Sequence, residues 1–382
     1  MQRSVYFDYN ATTPLDPAVR EAMLPFLGEI WGNPSSIHHI GRKARALLDD
    51  ARERTAKFLG AKPSEVIFTS GGTESNNLAV LGTARLLKPK GKHVITSSVE
   101  HHAVLHSFDF LERKEGFEVT RLPVDSQGRV SPEDLKRAIR KDTVMVSVMA
   151  TNNEIGTIQP VSELGTICRE RGVVFHTDAV QWLGKEPFEN VNQFSADLVS
   201  VCAHKFHGPK GAGLLWIKSP LHPDSVMLGG SHENERRAGT ENLASIIGLV
   251  TALEKFARPP VFDKSKLLPF ADKLICVIEK LDGCELVSPR DHCLANTVSF
   301  TVQDADSIAL LANLDVEGIC ASSGSACSAG SLEPSHVILA IGKESAANSL
   351  VRFSLGRENT MEEVEYVGSA LPEIINRART KR

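Results

Sequence analysis

SVCAHKFHGPKGAG, residues Ser200–Gly213, is the stretch on which the reading of the chain turns. The mostly apolar run from Ala196 to Ala203 reads as a short buried strand, ending at His204-Lys205 before a loop rich in glycine and proline. An ammonium group at the end of a core strand loses hydration, which disfavours its charged form. The same desolvation makes the amine nucleophilic and able to form a Schiff base. The glycines beyond it let the backbone approach a bulky phosphorylated ligand closely. Taken alone, Lys205 would sooner be an exposed lysine in a basic loop. The segments around it reverse that order.

Upstream, strands are expected at Val66–Thr69, His93–Ser97, Val119–Val124, Val144–Ala150 and Val173–Thr177. Helical apolar spacing lies between them, for example from Gly41 to Leu59 and from Asn77 to Leu87. Ser131 reads as a helix cap, with Pro132 first and acids in the first turn. Strands alternating with helices predict an α/β domain around a mostly parallel sheet. In such sheets ligands sit at the carboxyl ends of the strands. Thr73, His101, Asn153, Asp178 and Lys205 all fall just past expected strand ends. After Thr69, the turn Ser70-Gly-Gly-Thr-Glu-Ser75 leads into a helix, the arrangement that binds phosphate through backbone N–H groups and the helix dipole. By itself that turn fits a plain capped βα turn about as well, and no Gly-Lys-Ser/Thr makes it a P-loop.

Downstream, Arg236-Arg-Ala-Gly-Thr-Glu-Asn242 precedes an apolar helix to about Phe256, and Arg258-Pro-Pro260 marks a boundary. A helix (Leu267–Leu281), a strand (Thr297–Val302) and a helix (Ser307–Leu314) then suggest a smaller α+β domain. Residues 16–257 are accordingly read as a large cofactor-binding domain, and 1–15 with 258–382 as a small one. Cys320-Ala-Ser-Ser-Gly-Ser-Ala-Cys327-Ser-Ala-Gly-Ser-Leu-Glu-Pro334 is composed like a mobile loop, and a thiol carried on it would be exposed. A Ser/Gly linker with an incidental cysteine, or a Cys320–Cys327 redox pair, fits the same letters. Val351–Arg357 reads as a strand with Arg352 among apolar residues, and an arginine so placed needs an anion, best a carboxylate.

With 382 residues and a net charge of −4, nothing suggests electrostatic binding of nucleic acid. The N-terminus lacks a signal-peptide core and no apolar run approaches membrane-spanning length, so the chain reads as cytoplasmic. Seven scattered cysteines without a CxxC pair argue against a disulfide framework or a structural zinc site. Several, such as Cys276 in LICVI, read as inert core. His101-His102 show no metal-ligand partners, and no metal is expected.

A Schiff-base lysine, an aspartate, a stackable histidine, a phosphate turn and a carboxylate-binding arginine are what pyridoxal phosphate chemistry needs. The cysteine loop adds sulfur transfer. AHKFHGPKGAG, EHHAVL, SGGTESNN, TNNEIG, HTDAVQ, RRAGTEN, SSGSACSAGSLEPS and RFSLGR closely resemble group I cysteine desulfurases. These belong to the class V aminotransferase lineage of fold-type I enzymes, and the resemblance runs from about Tyr6 to Arg357. It implies a large domain with a seven-stranded-type, mostly parallel sheet flanked by helices.

The resemblance also implies roles. Lys205 holds pyridoxal 5'-phosphate covalently and moves the Cα proton of the substrate, L-cysteine. Asp178 pairs with the ring nitrogen, and His101 stacks on the ring and serves as acid/base for the substrate thiol. Gln181 and Asn153 lie near the ring hydroxyl and the substrate. Gly72, Thr73 and His204 hold the phosphate, joined by Thr240 from the neighbouring subunit of a homodimer. Arg352 grips the substrate carboxylate. Cys327 takes the sulfur as a persulfide, leaving alanine, for delivery to an acceptor such as an iron–sulfur scaffold. Cys202 stands where the family usually has a serine donating to the phosphate, and a thiol is a weaker donor. The rival readings are a selenocysteine lyase, a β-eliminating lyase on the same scaffold, and a non-catalytic binding protein.

Overall fold

The computed structural model describes residues 4–324 and 334–379. Twelve strands are described: β1 (Val5–Tyr6), β2 (Val66–Thr69), β3 (His93–Ser97), β4 (Glu118–Leu122), β5 (Thr143–Ser147), β6 (Val174–Asp178), β7 (Leu198–Cys202), β8 (Gly213–Ile217), β9 (Cys284–Leu286), β10 (Thr297–Val302), β11 (Ile319–Cys320) and β12 (Leu350–Ser354). Seven of them form one sheet in the order β2-β8-β7-β6-β5-β3-β4. All neighbours in it run parallel except β8, which is antiparallel to both β2 and β7. Sequence reading had six of these strands and missed β8, which returns directly from the glycine loop after Lys205.

Burial explains the composition of the strands. Every residue of β2, β3, β5, β7 and β8 is buried, as expected where helices cover both faces. At one edge, β4 exposes Glu118 and Arg121, charges that discourage pairing with another chain. The opposite edge, β2, is closed by side chains. Arg52 Nη1 donates to the Val66 carbonyl at 2.7 Å, Phe68 N–H donates to Glu233 Oε2 at 2.9 Å, and Arg52 and Glu233 are themselves paired at 2.6 Å. The strand leading to the glycine turn is thereby fixed.

β5 ends sooner than the apolar run Val144–Ala150 suggested. Val148 N–H still donates to the His176 carbonyl and Ala150 N–H to the Asp178 carbonyl at 2.9 Å. The chain therefore keeps following β6, which carries Asn153 to the neighbourhood of Asp178. Ser131 caps the helix Pro132–Ala138 as expected. The helix after the glycine turn begins at Gly72 rather than Asn77 and continues to Leu87 through a π turn at Leu78–Gly82.

One hydrophobic core gathers residues from Val19 to Ala257, including Phe175, Val199 and Phe206. Another joins Val5, Phe7 and Tyr9 to residues from Phe262 to Ala378. The second surrounds the sheet β12-β10-β9, and β1 pairs with β11 alongside it. Cys276, expected inside, is exposed. On its helix, Lys264–Ile278, the buried positions are Leu267, Ala271, Leu274, Ile275 and Ile278, and the helical period turns Cys276 outward. No helix among the described residues is long and apolar enough to cross a membrane.

Candidate active site

Five strands of the seven-stranded sheet deliver residues to a single cavity at their carboxyl ends. β2 leads to Gly72 and Thr73, β3 to His101, β5 to Asn153, β6 to Asp178 and Gln181, and β7 to Cys202, His204 and Lys205. Arg352, from β12 of the other sheet, lines the same cavity. Among the residues assigned from sequence, Thr240 lies elsewhere: it is exposed and borders a separate depression with Ser70, Gly211 and Arg237. Cys327 lies outside the described residues.

Lys205 follows β7 directly, and its Nζ donates to the carbonyls of Asn10 and Ala11, both at 2.7 Å. Asp178 ends β6 and is 5% exposed. Its Oδ2 accepts from Asn76 Nδ2 at 2.6 Å and its Oδ1 from Val180 N–H at 3.0 Å. Burial raises its pKa above the usual aspartate value, opposed by those hydrogen bonds and by the nearby Lys205 charge. Both of these hydrogen-bond donors to the buried carboxylate are uncharged. Such a group calls for a cation in the cavity.

His101 caps the helix His102–Glu115, its Nδ1 accepting from Ala103 N–H at 3.1 Å. Burial, then the charge of Lys205, pushes its pKa down to about 4. The ring is therefore neutral near pH 7, and with Nδ1 an acceptor its proton sits on Nε2. His204 is also held neutral, its pKa lowered to about 3 chiefly by burial. Its Nδ1 lies 3.1 Å from Thr12 Oγ1.

Arg352 is 1% exposed. Sequence reading supplied its anion from outside, but the structure also supplies one from the chain: Asp8 Oδ1, 2.8 Å from Nη2. Nη1 donates to the carbonyls of Asn153 at 2.9 Å and Gly324 at 2.8 Å. Ser322 Oγ holds the second Asp8 oxygen at 2.9 Å.

Cys202 is buried, its Sγ 3.7 Å from the Ala212 carbonyl. Burial raises its thiol pKa, while the backbone N–H groups of Gly72 and His204 pull the other way. The donors expected around a phosphate thus surround this thiol. Gly72 has no room for a side chain, since a Cβ would come within 2.8 Å of Val180 Cγ2. Sequence reading missed Asn76 and Asn10. Asn76 stands inside the quoted SGGTESNN, one helical turn after Gly72, and that spacing was the available signal. Asn10 gave none, because its partners are remote in sequence.

The class-V aminotransferase family model matches residues 5–367. The chain belongs to this family. Among class-V relatives, the cysteine desulfurase IscS of Dictyoglomus turgidum is 50% identical over 384 residues, covering 100% of this chain and 96% of its own length. A solved NifS-like protein superposes with a TM-score of 0.91 at 36% identity, covering 98% of this chain and 100% of that one. SspA, solved in complex with cysteine, gives a TM-score of 0.82 at 35% identity, covering 94% and 100%. The fold expected from the sequence is that of the class-V family.

Proposed function

We propose that the chain is a pyridoxal-phosphate-dependent cysteine desulfurase that takes sulfur from L-cysteine, releasing L-alanine and leaving a persulfide on Cys327. One observation carries the cofactor reading: the Lys205 amine and the buried Asp178 carboxylate stand at adjacent parallel strand ends and open on one cavity with Arg352. The residues present fit the group. Asp178 would hold a protonated ring nitrogen, Lys205 the aldehyde carbon, and the Gly72–Thr73 helix start the phosphate. When bound, pyridoxal phosphate supplies an electron sink for carbanion character at the substrate Cα.

The chain's own groups do the rest. Lys205 would hold the cofactor covalently, and its amine is the group that would move the substrate Cα proton. His101 stays neutral and offers its Nε2 proton. Arg352 orients the substrate by its carboxylate. The Cys327 thiolate takes the substrate sulfur, so cysteine and an enzyme thiol become alanine and an enzyme persulfide. Only the thiolate attacks, so this step slows as pH falls below the thiol pKa.

The same reading assigns residues 16–257 to a large domain and 1–15 with 258–382 to a small one, supported by the two separate hydrophobic cores. It makes the enzyme a homodimer in which Thr240, exposed and away from its own cavity, completes the partner's phosphate site. The persulfide passes to an acceptor protein such as an iron–sulfur scaffold, in the cytoplasm.

Product analysis tests the proposal. Protein loaded with pyridoxal phosphate is incubated with L-cysteine and a thiol reductant, and alanine, sulfide and pyruvate are quantified. Equal alanine and sulfide, abolished by Cys327→Ala, is the expected result. Pyruvate with ammonia would instead make the protein an eliminating lyase.

A further inference from the structure

Behind the cavity wall lies a second buried lysine that the reaction above leaves unused. Lys185 is 5% exposed. Its Nζ donates to Asn10 Oδ1 at 2.7 Å and to Gln181 Oε1, and lies 5.3 Å from the centre of the Phe262 ring. Both acceptors are uncharged amide oxygens. Burial, with Lys205 and Arg352 repelling a positive charge there, lowers its pKa well below the ordinary lysine value. A neutral amine keeps two hydrogens, enough for these two acceptors.

The contacts continue from Lys185 to the reactive amine. Gln181 Nε2 donates to the Asn10 carbonyl at 2.9 Å, and Lys205 Nζ donates to that same carbonyl at 2.7 Å. A carbonyl only accepts, so the Gln181 amide turns its nitrogen to Asn10 and its oxygen to Lys185. Asn10 and Gln181 line the cavity. Without the Lys185 donor, the Gln181 oxygen would be buried and unsatisfied, a penalty that rotates or displaces the amide.

We propose that Lys185 is a positioning residue: acting through Gln181 and the Asn10 carbonyl, it fixes the cavity face that meets the bound cofactor and Lys205. The inference rests on the pyridoxal phosphate reading of the cavity. It assigns Lys185 no contact with substrate or cofactor, only the orientation of groups that have one.

The test is a double-mutant cycle on cofactor binding. Wild type, Lys185→Met, Gln181→Met and the double variant are stripped and titrated with pyridoxal phosphate. Affinity, the visible absorption of the bound cofactor and the melting temperature of the stripped protein are recorded. Lys185→Met is expected to weaken binding by roughly three- to tenfold and to shift the absorption band. The double variant should be no worse than Gln181→Met, because the two residues act as one unit. Lys185→Gln, which keeps an N–H donor, should recover most of the affinity and the band position. Unchanged affinity and absorption in Lys185→Met would overturn the proposal, as would losses that multiply in the double variant. Lys185→Leu, also without a donor, replaces Lys185→Met if that variant does not fold. Wild type that binds no pyridoxal phosphate would overturn the cofactor reading itself.

Discussion

Arg352 shows how a residue can be legible while its setting is not. An arginine within an apolar strand announces that it needs an anion, and the letters around it say no more. The structure adds Asp8, distant in sequence, already resting on Nη2. A substrate carboxylate must share Arg352 with Asp8 or displace it. Arg352→Ala should raise the KM for cysteine by roughly ten- to a hundredfold, the range for hydrogen bonds to a charged group, with a smaller change in kcat. Asp8→Asn should do two opposite things. The KM should fall several-fold because a competing carboxylate is gone. The protein should melt earlier, because removing one partner of a buried pair costs on the order of 3 kcal/mol. Steady-state kinetics with thermal melts reads both, and a KM that rises would remove Asp8 as a competitor. His101 was equally legible as a type of residue, but its neutrality was not. That comes from burial and the Lys205 charge, neither of which a single sequence displays.

Among the elements, the unit β2, glycine turn and helix was read nearly whole, because strand and turn chemistry are local. Its support was not. Gly213, the first residue of β8, packs so closely on the turn that a Cβ there would lie 2.7 Å from the backbone of Gly71 and 2.9 Å from Thr69 Oγ1. Gly213→Ala should therefore push the turn outward and lower pyridoxal phosphate affinity, with an overpacking penalty of about 1–3 kcal/mol. Equilibrium titration and melting of the stripped variant measure the two effects; unchanged cofactor affinity would mean that the turn does not depend on this contact. β8 itself escaped the reading although GLLWI is a short apolar run bounded by glycine, a fair strand signal. Only a short 3-10 turn, Ala203–Lys205, separates it from β7, so the alternation with α-helices that revealed the other strands passed over it. The π turn at Leu78–Gly82 had no sequence mark at all.

The whole molecule carries a buried acid whose effect appears only in its stability. Glu100 is fully buried, and its pKa is raised to about 8, first by desolvation and against the pull of hydrogen bonds from Ser97 and Met149. Between the ordinary glutamate value and about 8, the folded chain keeps a proton that the unfolded chain releases. The unfolding free energy therefore falls as pH rises across that window. Glu100→Gln should remove this contribution, so the variant gains on wild type in melting temperature from pH 5 to pH 8. A constant difference across those values would show that Glu100 does not titrate in this way. The break in composition and periodicity at Arg258-Pro-Pro260 lies between Ala257, the last residue of the first core, and Phe262 of the second. The return of the N-terminal strand to the second core has no mark in the composition or periodicity of the letters around it.

That return has a consequence in time. Val5 N–H bonds the Gly318 carbonyl, Asn10 N–H bonds Ser354 Oγ, and Asp8 meets Arg352. This segment, which precedes the central sheet in the chain, thus waits for β11 and β12, which follow that sheet, before its hydrogen bonds can form, while the central sheet between them is complete earlier. Asn10 and Ala11, the acceptors for Lys205, belong to that waiting segment. The reactive amine is therefore held in its final place only once β12 has been made, and a chain interrupted before β12 would carry Lys205 without the wall that positions it.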